Sequence, residues 1–262
     1  MFYHFSMIKD NKDKDVKIMY FDLETVCLDT YKDACVFFQF SGIIEVNGVE
    51  KERFNLYMNP DCPENYNPDS LAFNGITEDD LEQHENHVDV FPKFLEIVAR
   101  YVDPFDKNDK MHTIGYNNIG FDNPKLWNWF SQMDELKKVR IEEDYNRQMQ
   151  KWKQTGEPSD KPGRMEKVYN TFGCYFWTNP IDCFPLVSLV FIKYRNLFKN
   201  FRLQTVAEKL STMGLIGSKY QESENWHDAL FDIDATRDVF HFCLRMFKIN
   251  LFEMVEQNKD EE

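Results

Sequence analysis

Asp22 and Glu24 stand two residues apart at the end of an apolar run, Lys17-Ile18-Met19-Tyr20-Phe21-Asp22-Leu23-Glu24-Thr25. Side chains alternate along a strand, so both carboxylates project to one side, where they can share a ligand, at the carboxyl end where α/β sheets commonly carry their sites. Acids flank many strands by chance, so the pair gains meaning only from partners elsewhere. Gly115-Tyr116-Asn117-Asn118-Ile119-Gly120-Phe121-Asp122 supplies one, an acid just ahead of a helix start at Asn123-Pro124, read as an N-cap followed by Pro. Alone, that acid is explained by the helix dipole, worth about 0.3–1 kcal/mol. Trp226-His227-Asp228-Ala229-Leu230-Phe231-Asp232 supplies the rest. With Asp228 as N-cap, His227 falls at N′ and Asp232 at N4, positions that meet across a helix entry, so imidazole and carboxylate are expected to touch.

These groups need a scaffold. The sequence predicts a first strand over about Val16 to Leu23, then Ala34 to Asn47 and Glu50 to Met58 as strands that can pair antiparallel, with Asn47-Gly48 as a hairpin turn. Helical period follows from Asp89, with Phe91, Phe94, Leu95, Val98 and Val102 on one stripe. Met111 to Tyr116 reads as a short strand, and Leu126, Trp127 and Phe130 as the apolar face of the next helix. Further helices are predicted over Phe184 to Leu197, Leu203 to Leu210 and Ala229 to about Phe252, the last with Ile233, Phe240, Cys243 and Phe247 facing inward. This order implies an α/β fold, a mixed sheet with helices on both faces. The domain plan is a polar N-terminal extension (1–15), a single domain (16–252) carrying a polar insertion at about 131–178, and an acidic C-terminal tail (253–262).

The 262 residues, 42% hydrophobic and 16% aromatic, suffice for one substantial core. No apolar run is long enough to span a membrane, and the N-terminus does not read as a signal peptide, so a cytoplasmic protein without a membrane partner is expected. Six scattered cysteines with no C-x-x-C pair predict buried, reduced thiols. A formal charge of −14 opposes broad adhesion to duplex nucleic acid, but leaves room for a narrow site whose positive charge comes from metal ions.

The order Asp22-x-Glu24, Asn118-x-x-Phe121-Asp122 and His227-x-x-x-x-Asp232 resembles the DEDDh branch of the 3′-to-5′ exonucleases. Phe73-Asn74-Gly75-Ile76-Thr77 looks like the family segment between third strand and first helix, and Pro180-Ile181-Asp182 like a later strand end. Gly115-Tyr116-Asn117-Asn118, Phe201-Arg202-Leu203-Gln204 and His227-Asp228-Ala229 are most similar to the nuclease domain of the bacterial exonuclease I family, over roughly Lys17 to Met246. Two departures stand out: Val26-Cys27 where the family often has Thr-Gly, and Asn74 where it often has His. Asp228 stands where the tyrosine branch would place Tyr.

The resemblance implies an RNase H-like mixed five-stranded sheet and hydrolysis of phosphodiester bonds at 3′ ends, releasing nucleoside 5′-monophosphates. Single-stranded DNA is the implied substrate, with RNA ends and a non-catalytic nucleic-acid-binding module as the alternatives, and a polymerase or further DNA-binding protein would be a separate chain. It also implies two Mg²⁺ or Mn²⁺ ions held by Asp22, Glu24, Asp122 and Asp232, with His227 as general base. The physics agrees. Like charges about 4 Å apart repel by roughly 1 kcal/mol in water and about 4 kcal/mol at an effective dielectric of about 20, so clustered carboxylates call for cations. Hard oxygen donors suit Mg²⁺ or Mn²⁺, and an imidazole with pKa near about 6.5 can take a proton from the attacking water. Thr25 and Val26 (through the backbone), Asn74, Asn118 and Phe121 are the expected contacts to the terminal nucleotide. Lys193, Arg195, Lys199 and Arg202 lie in an acid-free run interleaved with aromatics, suited to a single strand, although some of those rings could equally be core.

Overall fold

The computed structural model describes residues 15–30, 34–223, 225–226 and 228–249. Most of the predicted N-terminal extension, the C-terminal tail and His227 lie outside these residues. One five-stranded sheet organises the fold, in the order β3 (Val49–Tyr57), β2 (Phe37–Val46), β1 (Lys17–Thr25), β4 (His112–Gly115) and β5 (Ile181–Asp182). β1, β2 and β3 pair antiparallel, whereas β4 and β5 run parallel to β1. The Asn47-Gly48 turn has positive φ at both residues, 52° and 76°, as the favoured two-residue hairpin requires. β3 forms the sheet edge and carries Glu50, Lys51, Glu52 and Arg53, charges that discourage pairing with another chain.

β1 alternates between two cores. Met19, Phe21 and Leu23 pack with Phe40 and Ile44 against α1 (His87–Ala99) and α2 (Asp122–Thr155), whereas Ile18 and Tyr20 pack with Ile43 and Ile114 against α3 (Ala229–Phe247). Asp22 and Glu24 continue the second series, so the strand directs them to the α3 side. α3 is buried around much of its circumference because α4 (Cys183–Val190) and α5 (Leu203–Thr212) cover its other side.

Three local readings differ from the structure. The helix predicted from Asn123 begins at Asp122, with Phe121 in the cap position and no side-chain cap, and its core face uses Trp129 rather than Trp127, which is 39% exposed. That helix continues for 34 residues, about 50 Å, and its buried residues end at Phe130. It therefore forms most of the 131–178 excursion, and the chain rejoins the core at Phe172 and Phe176. The helix predicted over 184–197 stops at Val190, which lets Phe191 and Phe198 meet at 4.7 Å and Phe191 stack on Phe242. All six cysteines are free, and Cys27, Cys35, Cys62, Cys183 and Cys243 are buried. Among the described residues no helix is long and apolar enough to cross a membrane.

Candidate active site

Parallel pairing of β1 with β4 brings their carboxyl ends side by side. Asp22 and Glu24 come from the first, and Asp122 follows the second as the opening residue of α2. Tyr20 packs its ring on Phe240 at 5.9 Å, so α3 passes beneath β1 with its N-terminal turn toward the strand's carboxyl end. That turn carries Asp232, at N4 behind the Asp228 cap, whose Oδ1 accepts the Phe231 N–H at 3.0 Å. Helix phase and strand alternation thus bring the four acids into mutual charge reach.

Burial raises the Asp22 carboxyl well above the ordinary carboxylate range, and Asp122, Glu24 and Asp232 push it the same way. Glu24 is pushed up to about 7, first by burial and then by Asp232 and Asp228. Asp122 is pushed up to about 8 by burial and Glu24, against the opposing pull of Lys125. Such a donor set fits a hard divalent cation: the ligands are oxygens, and a cation offsets both the desolvation and the repulsion. Among the described residues no three acidic, histidine or cysteine side chains already converge as a closed ligand shell. His227, expected against Asp232, lies outside the described residues. Asp234, two residues on, is engaged elsewhere, by Arg53 at 2.8 Å and Lys219 at 3.0 Å.

The surroundings of the acids are tied in by hydrogen bonds. Across the β1–β2 ladder from Asp22 and Glu24 stand Ser41 and Gln39, both bonded to Asn55 Oδ1, at 2.7 and 2.9 Å. Asp182, opposite Gly115 in the β4–β5 pair, accepts the N–H groups of Asn117 and Phe184, which fixes the turn leading to Asp122. Gly115 is required there, since a Cβ would lie 2.6 Å from Asn118 Cβ.

Two cavities adjoin Glu24. One, of about 430 Å³, is walled by Leu23, Thr25, Leu28, Phe73, Asn74 and Phe121; the other, of about 700 Å³, runs past Gln39, Tyr57, His84 and Trp226. Thr25, Asn74 and Phe121, which the sequence expects at a terminal nucleotide, line the first cavity, and Asn74 Nδ2 donates to the Thr25 carbonyl at 3.1 Å. Val26 and Asn118 do not. Val26 is fully buried, its N–H bonded to the Val36 carbonyl and its carbonyl to the Asn67 N–H, so its backbone has nothing to offer a ligand. Asn118 is likewise fully buried, packed against Gly115 as part of the turn. Lys193, Arg195, Lys199 and Arg202 are exposed but line neither cavity, and Phe198 and Phe201 between them are core. Sequence reasoning missed Lys125, a buried cation beside Asp122; the signal was a charge next to Leu126 on the helix's apolar face.

Residues 19–114, from β1 to β4, match the exonuclease family (RNase_T). Solved structures of exonuclease I share the fold across almost the whole chain: one has TM-score 0.56 at 17% identity over 89% of this chain. A zinc-bound E. coli exonuclease I complex with single-stranded DNA gives 0.55 at 15% over 92%, and the enzyme of Methylocaldum szegediense 0.53 at 18% over 93%. The mixed sheet is thus that of the exonuclease I nuclease domain, as expected. The chain spans less than half of those proteins, 42% of the first two and 43% of the third. No match was found among curated proteins by sequence.

Proposed function

We propose that the protein is a metal-dependent 3′-to-5′ exonuclease acting on single-stranded DNA and releasing nucleoside 5′-monophosphates. The observation that carries this reading is the gathering of Asp22, Glu24, Asp122 and Asp232 at adjoining element ends, in an arrangement whose ionisation is opposed by burial and mutual repulsion. The exonuclease match over residues 19–114 and the fold shared with exonuclease I support it. The E. coli enzyme with zinc and single-stranded DNA supports the choice of divalent ions and substrate. Residues 16–252 form one exonuclease domain in this reading, with residues 131–178 as an excursion from it.

Asp22, Glu24, Asp122 and Asp232 would hold two Mg²⁺ or Mn²⁺ ions, which would supply charge that activates water and stabilises the leaving oxygen. His227 takes the proton from the attacking water. The cavity of about 430 Å³ seats the terminal base between Leu23, Phe73 and Phe121. Asn74 holds the end of β1, and with it Glu24, against the wall of that cavity. Exposed Lys193, Arg195, Lys199 and Arg202 meet phosphates farther along the strand.

Labelled oligonucleotides decide the matter. Single-stranded DNA, duplex DNA and RNA of one sequence are incubated with the protein in Mn²⁺ or Mg²⁺ at pH 7–9, then with a chelator. The reading expects nucleotide-by-nucleotide loss from the 3′ end of single-stranded DNA that stops on chelation. Intact single-stranded DNA would refute the enzyme reading, and faster loss from RNA would move the substrate to RNA ends.

A further inference from the structure

Lys125 is the residue that the acid cluster does not explain. Its side chain is 1% exposed, in a protein region where a buried ammonium has to be stabilised by specific partners. Nζ donates to the carbonyl of Leu28 at 3.2 Å and to that of Phe121 at 3.4 Å, and it stands 3.3 Å from the centre of the Phe121 ring. Asp122 and Asp29 add favourable charge. Leu28 belongs to the segment that leaves β1, and Phe121 is the cap residue of α2. Both line the cavity of about 430 Å³ beside Glu24, where Leu28 is 70% exposed.

We propose that Lys125 is a positioning residue that pins Leu28 and Phe121 from behind as opposite walls of the terminal-base pocket, and so sets how tightly the 3′-terminal nucleotide is seated. The inference rests on the exonuclease reading and adds a residue to it. Two carbonyl hydrogen bonds fix the backbone of both walls, and the ammonium on one face of the Phe121 ring fixes that ring's tilt. Charge-assisted bonds of this kind, shielded from water, are stronger than neutral ones, so losing them releases both walls together. The chemistry itself does not pass through Lys125, because its nitrogen is sealed from solvent.

The test compares wild-type protein with Lys125→Met, of similar length but uncharged, on two oligonucleotides in Mn²⁺: one with a normal 3′ nucleotide and one whose last residue lacks its base. The variant is expected to raise KM about tenfold on the normal end with kcat within threefold, and to leave KM on the abasic end within twofold. Calorimetric affinity for deoxythymidine 5′-monophosphate should fall by the same factor. A double variant with Phe121→Leu should lose no more than either single variant, because the ring and the ammonium act as one unit. Equal losses on both ends, or no loss, would overturn the inference while leaving the exonuclease reading intact. If wild-type protein digests neither oligonucleotide, the exonuclease reading falls and takes this inference with it. Should the methionine variant not fold, Lys125→Arg is measured instead. It keeps the charge and donors but displaces them from the ring centre, so a loss of about threefold confined to the base-bearing end is expected, and a loss on both ends overturns the proposal.

Discussion

Asp22 is repelled by Asp122, Glu24 and Asp232, and its burial adds to the cost of ionising it. Asparagine keeps the shape and removes the charge. Asp22→Asn is therefore expected to raise the melting temperature of the metal-free protein at pH 8, by about 2–4 °C for each kcal/mol recovered, while lowering activity at least about 10²-fold. Differential scanning in chelator and in Mn²⁺ reads the first effect; a lower melting temperature in chelator would deny that the cluster is strained. The pH dependence follows from the same groups. Glu24, near 7, and Asp122, near 8, hold their protons more tightly in the folded chain than in the unfolded one. Their stabilising contribution is complete below the unfolded carboxylate range near about 4 and is lost as pH rises through 7 and 8. The melting temperature of chelated protein should accordingly fall between pH 5 and 8.5, and Mn²⁺ should flatten that fall. A flat or rising profile in chelator would contradict the assignment of these carboxylates to one cluster.

Elements hold the residues in place through a second, satisfied network on the same sheet face. Glu45 of β2 is buried among Tyr20 of β1 and Arg237 and His241 of α3, and Arg237 also reaches Glu50 of β3 at 2.7 Å. His241 and Arg237 outweigh the burial that would raise the Glu45 carboxyl and hold it below its ordinary range, so the stability it contributes is lost as pH falls below about 4.5. Arg237→Met leaves that carboxylate buried with one partner fewer and is expected to cost about 3 kcal/mol in denaturant unfolding. Adding Glu45→Gln should recover part of it, because both ends of the pair are then neutral; a double variant less stable than the single would argue against this pairing. β4 offers a sharper test of the link between backbone and site. Gly115→Ala places a methyl 2.6 Å from Asn118 Cβ, in the turn that delivers Asp122. Overpacking of about 1–3 kcal/mol and a fall in activity beyond that caused by unfolding are expected, measured on protein still folded by near-ultraviolet circular dichroism. Full activity would mean that the turn yields without moving Asp122.

The whole molecule carries a formal charge of −14, and the four basic residues assigned to the strand lie in one exposed run. Under the proposed function, affinity for DNA comes from few phosphate contacts together with stacking and metal. With at most four phosphates neutralised, the logarithm of binding affinity for single-stranded DNA should fall with the logarithm of salt concentration at a slope no steeper than about −3. Lys193→Ala and Arg195→Ala should each flatten it by about 0.7. Fluorescence anisotropy at several salt concentrations measures this, and an unchanged slope in both variants would remove that run from the substrate path. Beyond Phe130 the long α2 buries no residue, so its outer half projects from the core into which its first turns, with Asp122, are packed.

What the amino-acid sequence determined by itself was everything governed by short-range periodicity. Two-residue alternation put Asp22 and Glu24 on one side of β1, the Asn47-Gly48 pair announced the hairpin, and the Asp228 cap placed Asp232 one turn into α3. The spaced acids also carried the resemblance to the exonucleases, and the match over residues 19–114 and the fold shared at 17% identity agree with it. Only tertiary packing decided the rest. Lys125 became a buried tether and Trp129 replaced Trp127 in the core through contacts with segments distant in sequence. Val26 and Asn118 were withdrawn from the expected nucleotide contacts by hydrogen bonding and close packing, respectively. Burial is a property of what comes to lie over a side chain, and the residues that cover these four are supplied by elements whose meeting no local pattern encodes.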